Sequence, residues 1–498
     1  MLLALVGGCM VGPDYKRPEA KVNETYAEGG DGKVNVEWWQ TFNDPVLVDL
    51  IETCYRQNLT LRQAGVRVLQ SMAARGIAVG DLFPQSQAIQ GTVSRGVSQE
   101  RYATNWGVGF DAAWEIDFWG KFRRAIEASD AELDGSLAQY DSVMVSLFGE
   151  VASTYVTIRT FDERLAIAHQ NIAALQKSLD IVQEKLDAGA TSEIDVAQAK
   201  SLLKSTQSLV PAFEAGRKQA IYALAALLGR PPDPLQDILG KPGTIPQANA
   251  EVAVGAPAEL LRRLPSVRIA ERGAAAASAD IGVAKADLYP SFFLNGSIGL
   301  SSNKFSSLWN SSAWTGVIEP GFSWPIFNYG RIRNNVRVAD ANFQAAALNY
   351  QQTVLDAASD VESSLAAYVG SLDQTAFVHE SLTLSQRAYD LSMIQYREGD
   401  TPYTRVIQTQ ESLLSVSDSY ASLRGSIALN LVATYKALGG GWEIRKGVTE
   451  LVPEETKKEM RERTNWGSYL DEDPVAAKTL IPRHDPDKIA REPVGDPK

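Results

Sequence analysis

The sequence predicts a mainly helical chain that also carries a membrane β-sheet: long coiled-coil helices forming a tunnel, and four strands contributing to a barrel. Three observations lead there. A proline-free stretch from Phe122 to Leu186 places apolar residues in alternating steps of four and three, among them Leu133, Leu137, Tyr140, Met144, Leu147, Val151, Tyr155 and Ile158. That 3.5-residue period belongs to a coiled-coil seam. At about 1.5 Å per residue the rod is roughly 95 Å long, too long to curl around a compact core. Separate short segments instead alternate with period two. The chain also repeats itself: Gly120-Lys121-Phe122-Arg123 returns as Gly330-Arg331-Ile332-Arg333, and Leu228-Gly229 as Leu438-Gly439, both with an offset of 210 residues. A repeat of that length marks a duplicated structural half.

The strands come first in each half. Between 106 and 118 the even positions are Trp106, Val108, Phe110, Ala112, Trp114, Ile116 and Phe118, and the odd ones are small or acidic. The segments 291–301 and 313–327 alternate alike, and 85–95 more weakly. A soluble sandwich also alternates, but each sheet then needs an apolar partner that this chain lacks. A barrel accounts for the aromatic face as lipid-facing and the polar face as a wet lumen. Four strands cannot close a barrel, since the smallest membrane barrels need about eight. The chain must therefore oligomerise to hide its strand edges. A dimer supplies eight strands and a trimer twelve, and strand physics does not choose.

The remaining helices are expected at 45–80, 192–229, 257–286, 330–397 and 402–438. Two short helices stacked end to end match one long helix in each half. The segments left over gather where the short ones meet, as a belt around a helical cylinder. Pro211 lies inside a helix and should kink or break it. The chain thus divides into 1–8, a signal remnant; 9–44, a lipidated segment of the belt; 45–80, helix; 81–120, strands one and two; 121–229, the first hairpin; 230–256, belt; 257–286, helix; 287–328, strands three and four; 329–438, the second hairpin; and 439–498, C-terminal belt and a tail expected to be loosely packed or partly disordered.

At the N-terminus Cys9 follows small apolar residues, as a lipidation site does, and acyl chains there tether a chain to a membrane. Eight residues are short for a basic region plus an apolar core, so the start is expected upstream. Directly after comes Met10-Val11-Gly12-Pro13-Asp14-Tyr15-Lys16-Arg17-Pro18. This stretch resembles the mature N-terminus of the TolC-like outer-membrane factors, in their OprM/NodT-type lipoprotein branch. The duplicated pattern extends the resemblance over nearly the whole chain. It implies a homotrimer with one twelve-stranded barrel in the outer membrane. It also implies a tripartite efflux system with a periplasmic adaptor and an inner-membrane transporter of the resistance-nodulation-division type. The duct is passive.

The resemblance places a gate at the hairpin tips, Ala188-Gly189-Ala190 and Glu398-Gly399-Asp400. There Asp195 takes the place of the acidic partner of a tip arginine, and Tyr396 that of the gate tyrosine. Arg405 is the repeat equivalent of Asp195, and Glu398 and Asp400 flank the second turn. Arg405 and Gln408 stand where TolC carries aspartates, so a constriction through Asp195–Arg405 pairing or through apolar side chains such as Val406 is expected instead. Asp111, Glu115, Asp117 and Glu319 are candidate lumen acids that favour cations. Lys121, Arg123, Arg124, Arg331 and Arg333 flank the strand–helix junctions, at the periplasmic edge of the bilayer or as plain solvated charges.

The exclusions are simpler. A net charge of −12 argues against nucleic acid. Two cysteines, Cys9 and Cys54, give no disulfide framework. His169 and His379 are repeat equivalents without metal-ligand spacing, and no nucleophile–base pair, phosphate loop or cofactor fingerprint appears, so no enzyme and no cofactor beyond a covalent lipid on Cys9 is expected. Two rivals stay open: the duct of a type I protein-secretion system, and a soluble periplasmic coiled-coil scaffold.

Overall fold

The computed structural model describes residues 10–23, 36–98, 101–248, 261–445 and 451–474. Its elements are α1 (Pro45–Gln57), α2 (Leu59–Gly80), β1 (Ser86–Ser98), β2 (Arg101–Ile116), α3 (Lys121–Asp187), α4 (Glu193–Leu227), a single turn α5 (Gln236–Leu239), α6 (Pro265–Ala286), β3 (Ser291–Ser302), β4 (Trp314–Ser323), α7 (Arg331–Glu398), α8 (Tyr403–Ala437) and α9 (Glu454–Arg463). The rods α3 and α7 have 67 and 68 residues, about 100 Å each at about 1.5 Å per residue. The return helices α4 and α8 have 35 residues apiece.

The duplication is written into the backbone. Gly120 and Gly330 start the rods, Gly189 and Gly399 end them, and Gly229 and Gly439 end the return helices, all at positive φ. A residue with a Cβ is strained there, which ties both halves to the same helix lengths. Trp114 and Trp324 are also 210 apart. Each indole N–H donates to the carbonyl of the second residue after the helix that precedes the strands, Leu82 at 3.2 Å and Leu288 at 3.1 Å.

The strands form one antiparallel sheet in the order β1-β2-β3-β4. The register puts Phe110 beside Ile89 and Ile298, and Phe292 beside Ile116 and Phe322, all on one face. Phe110, Ile298, Ile318 and Phe322 are exposed rather than packed into a globule. The other face pairs Asp111 with Ser297 and Asn295 with Glu319. Within the chain β1 and β4 are each paired on one side only.

Below the sheet the helices lie side by side. Near the strands the order is α2–α3–α6–α7, and toward the tips it is α4–α3–α8–α7. One flank of the chain is therefore α7 and β4, and the other is α2, α4 and β1. The main core sits between these levels. Trp38, Phe42, Leu47, Leu50, Phe148, Tyr155, Leu224 and Tyr435 meet there with Leu451 and Val452 of the C-terminal segment. Asp44 caps α1 through Val46 N at 2.9 Å and also accepts from Tyr155 Oη at 2.7 Å.

Several boundaries differ from the sequence expectation. The helix expected at 45–80 breaks at Asn58. That residue is extended, its side chain accepts from Leu61 N at 2.9 Å, and its amide donates to Leu227 O at 2.8 Å. The incoming end of α4 thus divides α1 from α2. The helix expected at 257–286 breaks at Leu264, which is extended between helical residues 261–263 and a helix that restarts at Pro265, where proline suits the first turn; residues 257–260 lie outside the described residues. α4 runs through Pro211 without a break, with Pro211 on its exposed face. β4 stops at Ser323, just before Trp324-Pro325. Of the tail from Pro453, expected to be loosely packed or partly disordered, the stretch 453–474 is anchored: Met460 and Leu470 join the main core. Leu451 and Val452 lie against Gly65, and the Tyr469 hydroxyl lies against Gly76, so neither glycine can accept a side chain unless these move. Positions 1–8, Cys9 and 475–498 lie outside the described residues.

Candidate functional site

Three places bring polar side chains to surfaces that the chain leaves open: the inner sheet face, the strand–helix junction and the hairpin tips. On the sheet, Asp111 and Glu319 lie on the polar face, neither in an ion pair among the described residues. Glu115 shares that face near its foot, with Lys121 Nζ 4.0 Å away and engaged with Asp287 at 3.0 Å. Asp117 is not a lumen acid. It lies one residue beyond the end of β2, and its carboxylate accepts from Phe122 N and Arg123 N at 3.1 Å each and from Arg123 Nε at 2.9 Å. It fills the unpaired N–H groups at the start of α3. The period-two pattern ran past the strand, so the cap looked like another inward residue.

At the junction Arg124 is buried, not solvated. Its guanidinium donates to Val11 O at 3.3 Å, Asp14 at 2.9 Å and Glu127 at 2.6 Å. Val11 N donates to Trp119 O at 3.0 Å. Met10 covers Gly120, where a Cβ would fall 2.7 Å from its Cγ. Farther along, Tyr15 Oη donates to Glu271 at 3.0 Å, and Gln351 Nε2 donates to Glu19 O at 2.9 Å. The N-terminal strap therefore starts at the foot of the sheet and runs down across α6 to α7.

At the tips an apolar cluster joins all four helices: Leu175, Leu179 and Val182 of α3, Val196, Ala199 and Leu203 of α4, Met393 and Tyr396 of α7, and Tyr403 and Val406 of α8. Val406 is fully buried inside the chain, which removes it as an apolar constriction. The Asp195–Arg405 pair does not form within the chain. Asp195 turns back on its own helix start and accepts from Thr191 Oγ1 at 2.7 Å, Ser192 Oγ at 2.9 Å and Ser192 N at 3.3 Å. Arg405 lies in a groove of about 560 Å³ between α7 and α8, with Phe377, Glu380, Leu384 and Gln408. Glu398 ends α7, Gly399 takes the left-handed turn, and Asp400 N closes it on Gln395 O at 2.9 Å; the Glu398 and Asp400 side chains are exposed.

Partial burial pushes the Asp195 carboxyl up, but the hydroxyls of Thr191 and Ser192 and the Ser192 N–H outweigh it and hold the pKa below the ordinary aspartate range. A depressed pKa means that the cap's stabilisation is present above the unfolded value, about 4, and is lost as pH falls through the folded one. Hydrogen exchange at the first turn of α4, normalised for intrinsic rate, should therefore be flat from pH 7 to about 5 and accelerate only in stronger acid. Asp195→Asn should remove that step, and an unchanged step in the variant would refute the assignment.

A family model described as outer membrane efflux protein matches residues 50–230 and 256–440, both halves of the duplication. The chain belongs to this family. It is 30% identical over 450 residues to Nodulation protein T of Rhizobium leguminosarum bv. trifolii, covering 88% of this chain and 96% of that one. It is 33% identical over 423 residues to the pyoverdine export outer membrane protein OpmQ of Pseudomonas putida, covering 82% and 88%. Among solved structures, the outer-membrane channel OprN superposes with a TM-score of 0.83 at 31% identity, over 87% of this chain and all of that one. These family members are outer-membrane efflux channels, not enzymes.

Two contacts at the tips carry no signal in the sequence. Lys185, in the last turn of α3, donates to the Tyr396 carbonyl and, at 3.4 Å, to the Arg397 carbonyl, with its ammonium 4.3 Å above the Tyr396 ring. A cation here answers the negative end of α7 and joins the two hairpins. The Ser178 and Tyr403 hydroxyls, 3.1 Å apart, do the same higher up. Nothing in the spacing of Lys185 distinguishes it from any helix-terminal lysine.

Proposed function

We propose that three copies of this chain form a lipid-anchored outer-membrane duct, which passively conducts substrates delivered by an inner-membrane transporter through a periplasmic adaptor. The carrying observation is that the chain is open on two unlike flanks, each running through both sheet and helices. Joining β4 and α7 of one copy to β1, α2 and α4 of the next repeats the same contact and closes a ring. Three copies give a twelve-stranded barrel over a helical tunnel. The strap supports the anchor: Met10, the neighbour of Cys9, sits at the level where strands pass into helices, so acyl chains on Cys9 would enter the inner leaflet beside the barrel. Mass spectrometry of membrane-extracted protein should find Cys9 acylated at the mature N-terminus; a free N-terminus upstream would oppose it.

The tips are the proposed gate. Asp195 holds the first turn of α4, Lys185 and Tyr396 hold the hairpins together, and Arg405, Glu398 and Asp400 face outward where copies converge. The relatives' names span pyoverdine, toluene and cation efflux, so the exported compound is left to the transporter.

The test is reconstitution in planar bilayers, where the protein should form discrete pores that prefer cations. In a trimer Asp111 and Glu319 contribute six unpaired lumen carboxylates, so Asp111→Asn with Glu319→Gln should lower the cation-to-anion permeability ratio severalfold. Asp117→Asn should leave the ratio alone. Absence of pores from correctly inserted protein would sink the proposal, and an equal effect of Asp117→Asn would overturn the lumen assignment.

A further inference from the structure

The row of α8 that faces inward at the tip is Tyr403, Val406, Gln410, Leu413 and Ser417, in steps of three and four. Gln410 is a long polar side chain at a coiled-coil core position. It is 2% exposed, and neither its amide nitrogen nor its oxygen has a partner among the described residues. An amide buried without a partner disfavours the arrangement that buries it. Its repeat equivalent, 210 residues earlier, is Lys200, which is exposed. The two halves differ because of their neighbours. α4 lies at the flank and packs mainly on α3, whereas α8 is held between α7 and α3. Gln410 lies on the side of α8 that meets α3 through Tyr403 at Ser178 and Asp418 at Arg164, so the position that meets water in the first half is covered in the second, yet it has kept a water-seeking side chain.

We propose that Gln410 is a release element of the tip. Its amide is orphaned while α8 lies against α3 and is solvated when α8 moves away, so it offsets part of the packing that Val182, Leu179, Tyr403 and Val406 provide. A buried polar group at such a heptad position lowers the stability of one packing arrangement relative to others. This inference rests on the reading of the tip as a gate. It places the moving seam between α3 and α8 within each chain, where Lys185 and the Ser178–Tyr403 pair are the polar contacts that must part.

The experiment compares wild type with Gln410→Leu, which keeps the volume and removes the amide, and with Lys200→Leu at the equivalent exposed position. Single-channel records in planar bilayers should show about tenfold lower open occupancy for Gln410→Leu, equivalent to about 1.4 kcal/mol, together with a higher melting temperature. Lys200→Leu should change neither. Unchanged occupancy would overturn the proposal, as would a lower melting temperature, because the amide would then have a partner worth keeping. Hydrogen exchange over 403–417 decides the matter independently of conduction. Slower exchange in Gln410→Leu supports the release role even if wild type conducts nothing, a result that would count against the channel reading alone; equal exchange rejects it.

Discussion

Replacing Asp141 with alanine is expected to cost the fold about 3–5 kcal/mol, the usual penalty for removing one partner of a buried ion pair. Asp141 is fully buried on α3. It accepts from Arg445 Nε at 2.6 Å and its terminal nitrogen at 3.1 Å, and from Arg268 at 3.0 Å. Arg268 in turn lies 5.0 Å over the Trp442 ring. Without the carboxylate, the mostly buried Arg445 is left charged, since a guanidinium cannot shed its proton. The loss falls on the segment that leads to Leu451 and Val452. Asp141→Ala should therefore lower the unfolding midpoint and open the Lys457–Lys458 region to trypsin. Asp418→Ala is the matched control. Its bidentate pair with Arg164, at 2.7 and 2.9 Å, has a carboxylate 41% exposed, and such surface pairs contribute about 0–1 kcal/mol. Equal losses in the two variants would mean that Asp141 is not the pin of the belt.

That pin was invisible in the sequence, and the reason shows where such reading stops. Periodicity reports which face of an element is apolar. It found the rods to within a residue, the sheet, and the exposed aromatic face of Phe110, Ile318 and Phe322. The turn glycines Gly189 and Gly399 were legible too, because the end of a long helix needs a specific backbone shape, whereas Gly120 and Gly330 showed only as parts of a repeated motif. Periodicity does not report which element lies across the interface. Asp141 sits in a rod pattern like any other polar interruption, and its partners Arg268 and Arg445 are far away in the chain. Asp117 failed in the opposite sense, a local cap mistaken for a continuation of the strand. The Asp195–Arg405 pairing assumed that equivalent positions meet. In this chain they are the first turns of two different return helices, and Asp195 is satisfied by Thr191 and Ser192 before any distant partner is needed.

A cysteine pair at Ala197 and Leu391 is expected to link copies of the chain into a covalent trimer. α7 leaves a row of large apolar residues uncovered, with Phe377 75% and Leu384 62% exposed and Leu391 continuing the seven-residue spacing. The outer face of α4, opposite its contact with α3, carries exposed small residues, among them Ala197, Ser201, Ser205, Ser208 and Ala212. Heights follow from the tip glycines. Leu391 precedes Gly399 by eight residues and Ala197 follows Gly189 by eight; Leu384 and Ser205 stand at 15 and 16, and Phe377 and Ala212 at 22 and 23. Large side chains of one copy then meet small ones of the next, as knobs meet holes. Two α7 rows facing each other would crowd large against large, so the proposed contact would be head-to-tail and would close a ring instead of a two-fold dimer. Either cysteine alone should give no ladder on non-reducing gels. Leu384→Asp with Leu391→Asp should go further and release monomers, because each seam would bury two unpaired carboxylates at several kcal/mol apiece. A doubly substituted protein that remains trimeric in detergent, or an α7-to-α7 cross-link, would place the seam elsewhere.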